Sequence, residues 1–597
     1  MSIDNRFFLE KTNGSIKASG EDFKGASLYM IAIILLVSFV LYFNAIPNGF
    51  VYDDIQQVRD NPWIRDLKYI PQFFSSGVWA VEGRDSSYYR PLIYVIYLIS
   101  YFIFGLSPWS FHLLNVLFHA GVSVLVFLLA SQFLKKSQSP EFTSSLWPPF
   151  LAAILFAAHP IHTEPVAWVA GVMDVSFTFF YLLSFYLYTR SSGDSFSIKG
   201  NYLFSVFSFF LAALCKEPAL TLPLILIAYD CIFRRERAGV GQLLKRCIPY
   251  IGIVFIYFAL RLNALGGLVP IKVKTGLTFY QYFLNIPFLF TQFLEKLLLP
   301  INLNVYHVFN PIASFFSSKA IIGLLVTTIF LGFIFKMAQK NKIMFFGLLV
   351  ITIPLLPVLY IPALGQGLEN AFTERYLYLP SFGFVLLLGL LMEWFWLKRP
   401  NKVFIVTAIA CVVIGLYSVG TVTRNSVWKD NYTLWSDAVR KSSSSGKVRE
   451  NLGYALYEKG NFGEAIEQYQ IALNLKPDLV NARLNLGVAY HMKGFLDKAM
   501  EQYLYLIKLK PDFSEAHNNL GLAYMNKGWM DQAIKHYQIA LTLNPNFAEA
   551  HHNLGAAYGN MGMFDKAIEE FIIAVTLNPD NPNYQNSLQK AYRLKRR

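Results

Sequence analysis

The sequence predicts an all-α protein in two modules, a bundle of membrane-crossing helices followed by a stack of short helical repeats. Three observations carry this reading. Apolar residues make up 54% of the 597 positions and charged ones only 15%, against about 25% charged in soluble domains. Apolar runs of membrane-spanning length recur from residue 27 to about 422. From Asn451 onward the chain repeats itself every 34 residues, a period that marks stacked supersecondary units.

Residues 1–26 are polar and mixed in charge, as expected of a cytoplasmic tail. The apolar run 27–43 leads straight into further hydrophobic sequence without a small-residue cleavage site, so it is expected to remain as an anchor. A helical crossing needs about 20 mainly apolar residues, and candidate crossings begin near residues 27, 110, 148, 166, 201, 217, 247, 318, 343, 375 and 401. Two further apolar stretches, Pro91–Phe104 and 281–299, admit either reading; both together give thirteen crossings and neither gives eleven.

Loop charge decides between them, because Lys and Arg in short loops stay in the cytoplasm. Suppose the N-terminus is inside and neither stretch crosses. Lys135, Lys136, Arg190 and the loop carrying Arg234, Arg235, Arg237, Lys245 and Arg246 then all fall inside. So do Lys336, Lys340, Lys342, Lys398, Arg399 and Lys402. Counting only the first stretch as a crossing would carry the Arg234 loop outside. The expectation is therefore eleven crossings, with two further helices lying at the outer interface and everything after Val422 outside. The domain boundaries follow as a tail at 1–26, a membrane domain at 27–422, a linker at 423–446 and repeats at 447–597.

The net charge of +14 is accounted for by these loops, so a nucleic-acid partner is not expected. Cys215, Cys231, Cys247 and Cys411 show no CxxC spacing, which indicates neither a zinc site nor a disulfide framework.

In the repeats, Asn-Leu-Gly recurs at 451, 485, 519 and 553. Glycines fall at 460, 494, 528 and 562, alanines at 465, 499, 533 and 567, and prolines at 477, 511, 545 and 579. Thirty-four residues is the tetratricopeptide length. Small residues let the two helices of a unit approach, glycine opens the turn between them, and proline closes the second helix. Four units make a short superhelix with a concave face for an extended peptide. Asn451, Asn485, Asn519 and Asn553 form a column there whose amides suit a peptide backbone. The column resembles the asparagine ladder of the nucleocytoplasmic O-linked N-acetylglucosamine transferase, and Asn is also a common consensus residue at that position.

The same threading gathers ionisable residues on the outer face: Asp53, Asp54, His159, His162, Glu164, Asp174, Lys216, Glu217, Glu374 and Arg375. Such groups at membrane depth are expensive and mark function. A carboxylate pair where the chain emerges can take a proton from a hydroxyl, with mutual repulsion raising one pKa. An HPIH pair beside a proline turn suits a helix end held to backbone, and a divalent metal there is left open.

The local patterns Gly49 to Asp54, Tyr88-Tyr89-Arg90-Pro91-Leu92, His159 to Trp168, Lys216-Glu217-Pro218 and Thr373 to Pro380 resemble the transmembrane and tetratricopeptide-repeat-containing O-mannosyltransferases and their bacterial relatives. These belong to the C-type superfamily of membrane glycosyltransferases. The resemblance spans about residues 30–597 and includes the order of the two modules. It implies an enzyme that takes a sugar, mannose or a similar hexose, from a polyprenyl-phosphate carrier. The sugar passes to a hydroxyl acceptor, on protein, at the non-cytoplasmic face with inversion. No cofactor is implied beyond the lipid-linked donor, and the partners are membrane lipid and an acceptor protein or peptide held by the repeats. A bacterial inner membrane with periplasmic repeats is the expected location. The family's first acidic motif falls on Asp53 and Asp54, with Asp53 as general base and Asp54 as helper or substitute. Its second acidic position falls on Asp174, with Glu164 a rival; the basic residue that often stands near it in relatives is absent from Ala170-Gly171-Val172-Met173-Asp174. Arg375 is expected to hold the carrier phosphate by a bidentate fork. Lys216 and Arg90 are second choices, and His162 and Glu374 give polar support. A non-catalytic scaffold, with the helices only anchoring the repeats, is the alternative.

Overall fold

The computed structural model describes residues 20–83, 86–137, 145–191, 200–234, 240–267, 277–359 and 372–596. Most of the expected tail, and Arg235 and Arg237, lie outside these residues. The described chain is helical without a strand, and its contacts divide it into two compact units at Asp430/Asn431.

The first unit contains α1 (Gly20–Tyr42), α2 (Ile70–Ser75), α3 (Pro91–Phe104), α4 (Pro108–Ser137), α5 (Trp147–Ala158), α6 (Thr163–Ala167), α7 (Val172–Arg190) and α8 (Gly200–Cys215). It continues with α9 (Leu222–Phe233), α10 (Val240–Leu265), α11 (Phe279–Leu298), α12 (Ser318–Lys340), α13 (Lys342–Thr352), α14 (Leu356–Leu359), α15 (Pro380–Lys398) and α16 (Val403–Asn425). Among the described residues eight helices are long and apolar enough to cross a membrane, and a ninth span results if the bent pair α5–α6 counts as one. This is a multi-pass membrane protein. Neither α3 nor α11, the two stretches expected at the interface, is among the spans.

Two of the eleven expected crossings are short. Helices α8 and α9 have 16 and 12 residues and are parted by the turn Glu217–Thr221, because Pro218 and the charges before it interrupt the apolar run. They run antiparallel, both against α7 and α10. Arg234, just past α9, donates to the carbonyls of Tyr188, Thr189 and Ser191 at the end of α7. Lys216, at the other end, reaches Asp174 at the start of α7. As a pair, they return the chain to the side it left whether or not each reaches fully across.

The 48° bend between α5 and α6 falls at His159-Pro160, where proline removes a backbone donor. Carbonyls at the end of α5 are taken up by neighbours: Thr421 Oγ1 donates to Ala158 O at 2.7 Å, and His119 Nε2 stands 3.2 Å from Ala157 O. Partners of this kind are what a break at membrane depth requires. Phe133, Phe185, Tyr229 and Phe346 close the core at the end of the bundle where α4, α7 and α9 finish. Helices α13 and α15 cross at two glycines, where a Cβ on Gly383 would stand 2.6 Å from the Gly347 carbonyl; only small residues permit that approach.

The second unit opens with α17 (Asn431–Lys441), inside the stretch expected as a linker. Four helix pairs follow: α18 (Gly446–Glu458) with α19 (Phe462–Leu475), α20 (Val480–Met492) with α21 (Leu496–Leu509), α22 (Ser514–Asn526) with α23 (Met530–Leu543), and α24 (Ala548–Asn560) with α25 (Phe564–Leu577). The last helix is α26 (Pro582–Lys595). Gly460, Gly494, Gly528 and Gly562 adopt φ of 77–79°, the left-handed conformation glycine takes without penalty. The glycine of each Asn-Leu-Gly triplet seats the aromatic ring of its partner helix, as Gly521 does for Tyr537. One position per repeat clamps both the preceding turn and the partner helix. Arg449 bonds Ser443 O and Gln468, Arg483 bonds Pro477 O and Gln502, His517 bonds Pro511 O and His536, and His551 bonds Pro545 O and Glu570.

Candidate active site

The segment after α1 is fastened where α16 ends. Asn44 Nδ2 donates to Val422 O, Asn48 Nδ2 to Asn425 O, and Gly49 N to Lys429 O. The chain then passes Tyr52 at φ 54°, a left-handed conformation that costs a bulky residue about 1–2 kcal/mol. The Tyr52 ring stacks at 5.9 Å on Trp168, which stacks at 5.8 Å on Trp428. That stack offsets the strain and fixes the direction of the next two side chains.

Asp53 and Asp54 then part ways. Asp54 is fully buried, and its two oxygens accept from the backbone N–H groups of Val51 (3.0 Å) and Ala170 (2.7 Å), tying the α1 loop to the turn before α7. Burial pushes its carboxyl well above the ordinary range. Asp53 instead lines a small chamber with Gln57, Trp79, Trp168 and three cations, Arg90, Lys216 and Arg375. Its carboxylate, together with burial, raises the neighbouring Tyr52 phenol above its usual value. A single π-helical turn, Ile55–Arg59, follows the pair, a feature frequent at functional sites.

Each cation is held by its own carboxylate. Arg375 Nη1 donates to Glu164 Oε1 at 2.7 Å, and the Arg375 backbone N–H takes the other Glu164 oxygen at 3.2 Å. Lys216 Nζ meets Asp174 Oδ1 at 2.5 Å, and Arg90 forks onto Glu217 Oε2 at 2.9 and 3.1 Å. Arg375 also lies over the Trp168 ring at 5.4 Å, Lys216 over Tyr376 at 5.3 Å and Arg90 over Tyr88 at 4.4 Å. A second chamber shares Tyr88, Arg90, Lys216 and Tyr376 with the first and adds Ser87, Glu217, Arg261, Pro218, Pro357 and Val358. Together they form an anion seat beside a carboxylate.

The structure thus brings together Asp53, Arg90, Lys216 and Arg375 in one chamber, with Glu164 and Asp174 as anchors behind the cations. Lys216, 42 residues along the chain, supplies the basic neighbour that the Asp174 stretch lacks. Glu374 turns away to accept from Asn304 N and His307 Nε2. His162 bonds Ser381 and His159 bonds Leu297 O and Ile161 N. Among the described residues no three His, Cys, Asp or Glu side chains group as metal ligands. The repeat asparagines lie in the second unit; Asn553 donates to Asn518 Oδ1 at 3.0 Å, and Asn451, Asn485 and Asn519 are half-buried. Sequence reasoning missed Gln57, Trp79, Arg261 and His307 as site neighbours. Arg261 carried a signal: it is a lone arginine inside an apolar run of crossing length.

Residues 453–494, 493–528 and 527–562 match the TPR repeat family, and 548–581 match the tetratricopeptide repeat. Human protein O-mannosyl-transferase TMTC3 is 29% identical over 506 residues, covering 77% of this chain and 52% of that protein. The chain resembles the protein O-mannosyl-transferases. Protein O-mannosyl-transferase Tmtc3 of Drosophila melanogaster is 26% identical over 76% of this chain and 55% of its own length. Tmtc2 of the same organism is 33% identical over 250 residues, 39% of this chain and 24% of that one. The chain spans about half the length of the two Tmtc3 relatives. Among solved structures, a crystal structure of MamA is 25% identical over 24% of this chain and 85% of its own, with a TM-score of 0.23.

Proposed function

We propose that this chain is an integral membrane glycosyltransferase that moves mannose or a similar hexose from a polyprenyl-phosphate donor to a hydroxyl, on protein, at the non-cytoplasmic face. The observation that carries the proposal is the shared chamber of Asp53 with Arg90, Lys216 and Arg375. The similarity to proteins named protein O-mannosyl-transferases supports the sugar and the acceptor. Asp53 takes the proton of the acceptor hydroxyl as its oxygen bonds to the anomeric carbon. The bond from that carbon to the phosphate oxygen breaks, its electron pair leaving with the phosphate, and attack from the opposite side inverts the centre. Preorganised cations meet the charge as it develops on the leaving group. The carboxylate behind each cation fixes its aim in advance. Asp54, with both oxygens committed to backbone, holds the loop. The repeats bind the acceptor chain, and a bacterial inner membrane is the setting that suits the whole.

The test is transfer of labelled mannose from polyprenyl-phosphate mannose to protein in membranes. Asp53→Asn is expected to lower the rate about 10²–10⁴-fold without loss of folded protein, whereas Asp54→Asn acts through stability. Wild-type transfer by Asp53→Asn would remove the base; wild-type transfer by the double variant would leave the helices as an anchor. For the face, a cysteine placed at Leu106 is expected to react with an impermeant thiol reagent from outside. Reaction from the cytoplasm alone would sink the threading.

A further inference from the structure

The second chamber is larger than the first and differs from it in character. Its floor is the shared wall of Arg90 and Lys216, and its new cation is Arg261 of α10. Arg261 is 5% exposed. Its Nη2 donates to Ser87 O at 2.7 Å, its Nη1 stands 3.7 Å from Glu217 Oε1, and its buried Nε has no partner. Glu217 is thus one carboxylate between two guanidiniums, since Arg90 already holds its other oxygen at 2.9 Å. Lys216 is matched by Asp174. The three cations of this lining, Arg90, Lys216 and Arg261, thus meet two carboxylates, Glu217 and Asp174, and Arg261 keeps a buried donor unused.

The opposite wall carries no charge: it is Pro218, Pro357 and Val358. Beside it, Leu262 next to Arg261 and Leu356 next to Pro357 are 47% and 51% exposed, as apolar side chains of a membrane unit are where they face lipid. A cationic floor against an apolar wall suits an amphiphile with a single small anionic head and a hydrocarbon tail.

We infer that the isoprenoid phosphate donor comes in sideways between α10 and α14, rests its phosphate on Arg90, Lys216 and Arg261, and lays its first isoprene units against Pro218, Pro357 and Val358. This rests on the transfer activity proposed above and assigns Arg261 as a binding residue. Arg375, held at 2.7 Å by Glu164 in the neighbouring chamber, then faces the sugar side.

The experiment uses the full chain in lipid nanodiscs and binding without turnover. A polyprenyl phosphate with a photoactivatable group near its phosphate is cross-linked and the adducts are mapped. Adducts on residues of α10 around Leu262 and on Leu356–Leu359 are expected; adducts confined to α3 or α11 overturn the route. Arg261→Gln is expected to weaken binding of the same lipid tenfold or more, with Arg261→Lys recovering part of it. Unchanged binding by Arg261→Gln overturns the assignment while leaving the transferase proposal standing, since transfer is measured separately. Excess phosphatidylglycerol is expected not to displace the probe, and equal displacement would make the chamber a general phospholipid site. If the wild-type chain binds no polyprenyl phosphate, this inference and the donor proposal fall together.

Discussion

The membrane unit and the repeat unit use charge in opposite ways. Around Asp53 the cations are buried and each meets a carboxylate far away in sequence: Arg375 and Glu164 are 211 residues apart, Arg90 and Glu217 are 127. In the repeats the ion pairs are more exposed, as in Lys527–Asp497 with side chains 21% and 85% exposed, a pair repeated 68 residues on by Lys595–Asp565. Buried pairs are costly to break because a lone charge remains in a low dielectric; exposed pairs contribute about 0–1 kcal/mol. The comparison teaches that the membrane unit spends stability on placing charge, whereas the repeats obtain theirs from small-to-large apolar packing.

The largest expected effect follows from Lys216, 3% exposed against Asp174 at 1%. Lys216→Met leaves the Asp174 carboxylate buried and unmatched, a loss of about 3–5 kcal/mol, read as a lowered unfolding midpoint in detergent. Adding Asp174→Asn should recover much of it. If the single variant melts like wild type, the two units do not differ as claimed.

Next is Gly521→Ala. Its Cβ would stand 2.8 Å from the buried Tyr537 ring. Overpacking costs about 1–3 kcal/mol and the gain in helix propensity returns less than about 1. A net loss of about 1–2 kcal/mol is expected, confined to amide exchange in α22–α23.

Acid should act on the same unit more weakly. His517 and His536 face each other with Nδ1 atoms 3.1 Å apart. Burial holds His536 at about 4 and lowers His517 as well, both below the ordinary value of about 6.5. Between pH 6.5 and 4 the unfolded chain therefore binds protons the folded chain does not, so stability is complete above that window and falls as pH drops through it. With His517 buried and His536 only half-buried, the loss discounted for solvent screening is about 1 kcal/mol. His536→Gln should flatten the pH dependence of a urea melt; an unchanged slope would remove the pair as its cause.

Smallest of all is Lys527→Ala, expected to shift the same melt by less than about 0.5 kcal/mol. A larger shift would mean that the repeats too depend on individual charges.

How much of this was legible beforehand follows the same division. Helices of crossing length and the repeat boundaries came from local patterns, and so did the turn glycines, later seen at φ 77–79°. Asp53, Lys216 and Arg375 were gathered on one face, and Arg90 joined them as a choice for the phosphate, but the carboxylate that holds each cation was not legible. The pairing of Lys216 with Asp174 was hidden because it bridges two helices, and the turn to Asn304 and His307 took Glu374 out of the chamber wall.

By itself the sequence determined the two modules, their order, the repeat architecture and the identity of the charged residues at one end of the bundle. Periodicity and hydropathy act over neighbours in the chain, so they survive without coordinates. Only the tertiary structure decided which of two adjacent aspartates faces the chamber. That outcome depends on a left-handed Tyr52 held by Trp168 and on the Ala170 N–H, a donor 116 residues away that claims Asp54. Adjacent residues with the same side chain have the same local signal, and only long-range partners can tell them apart.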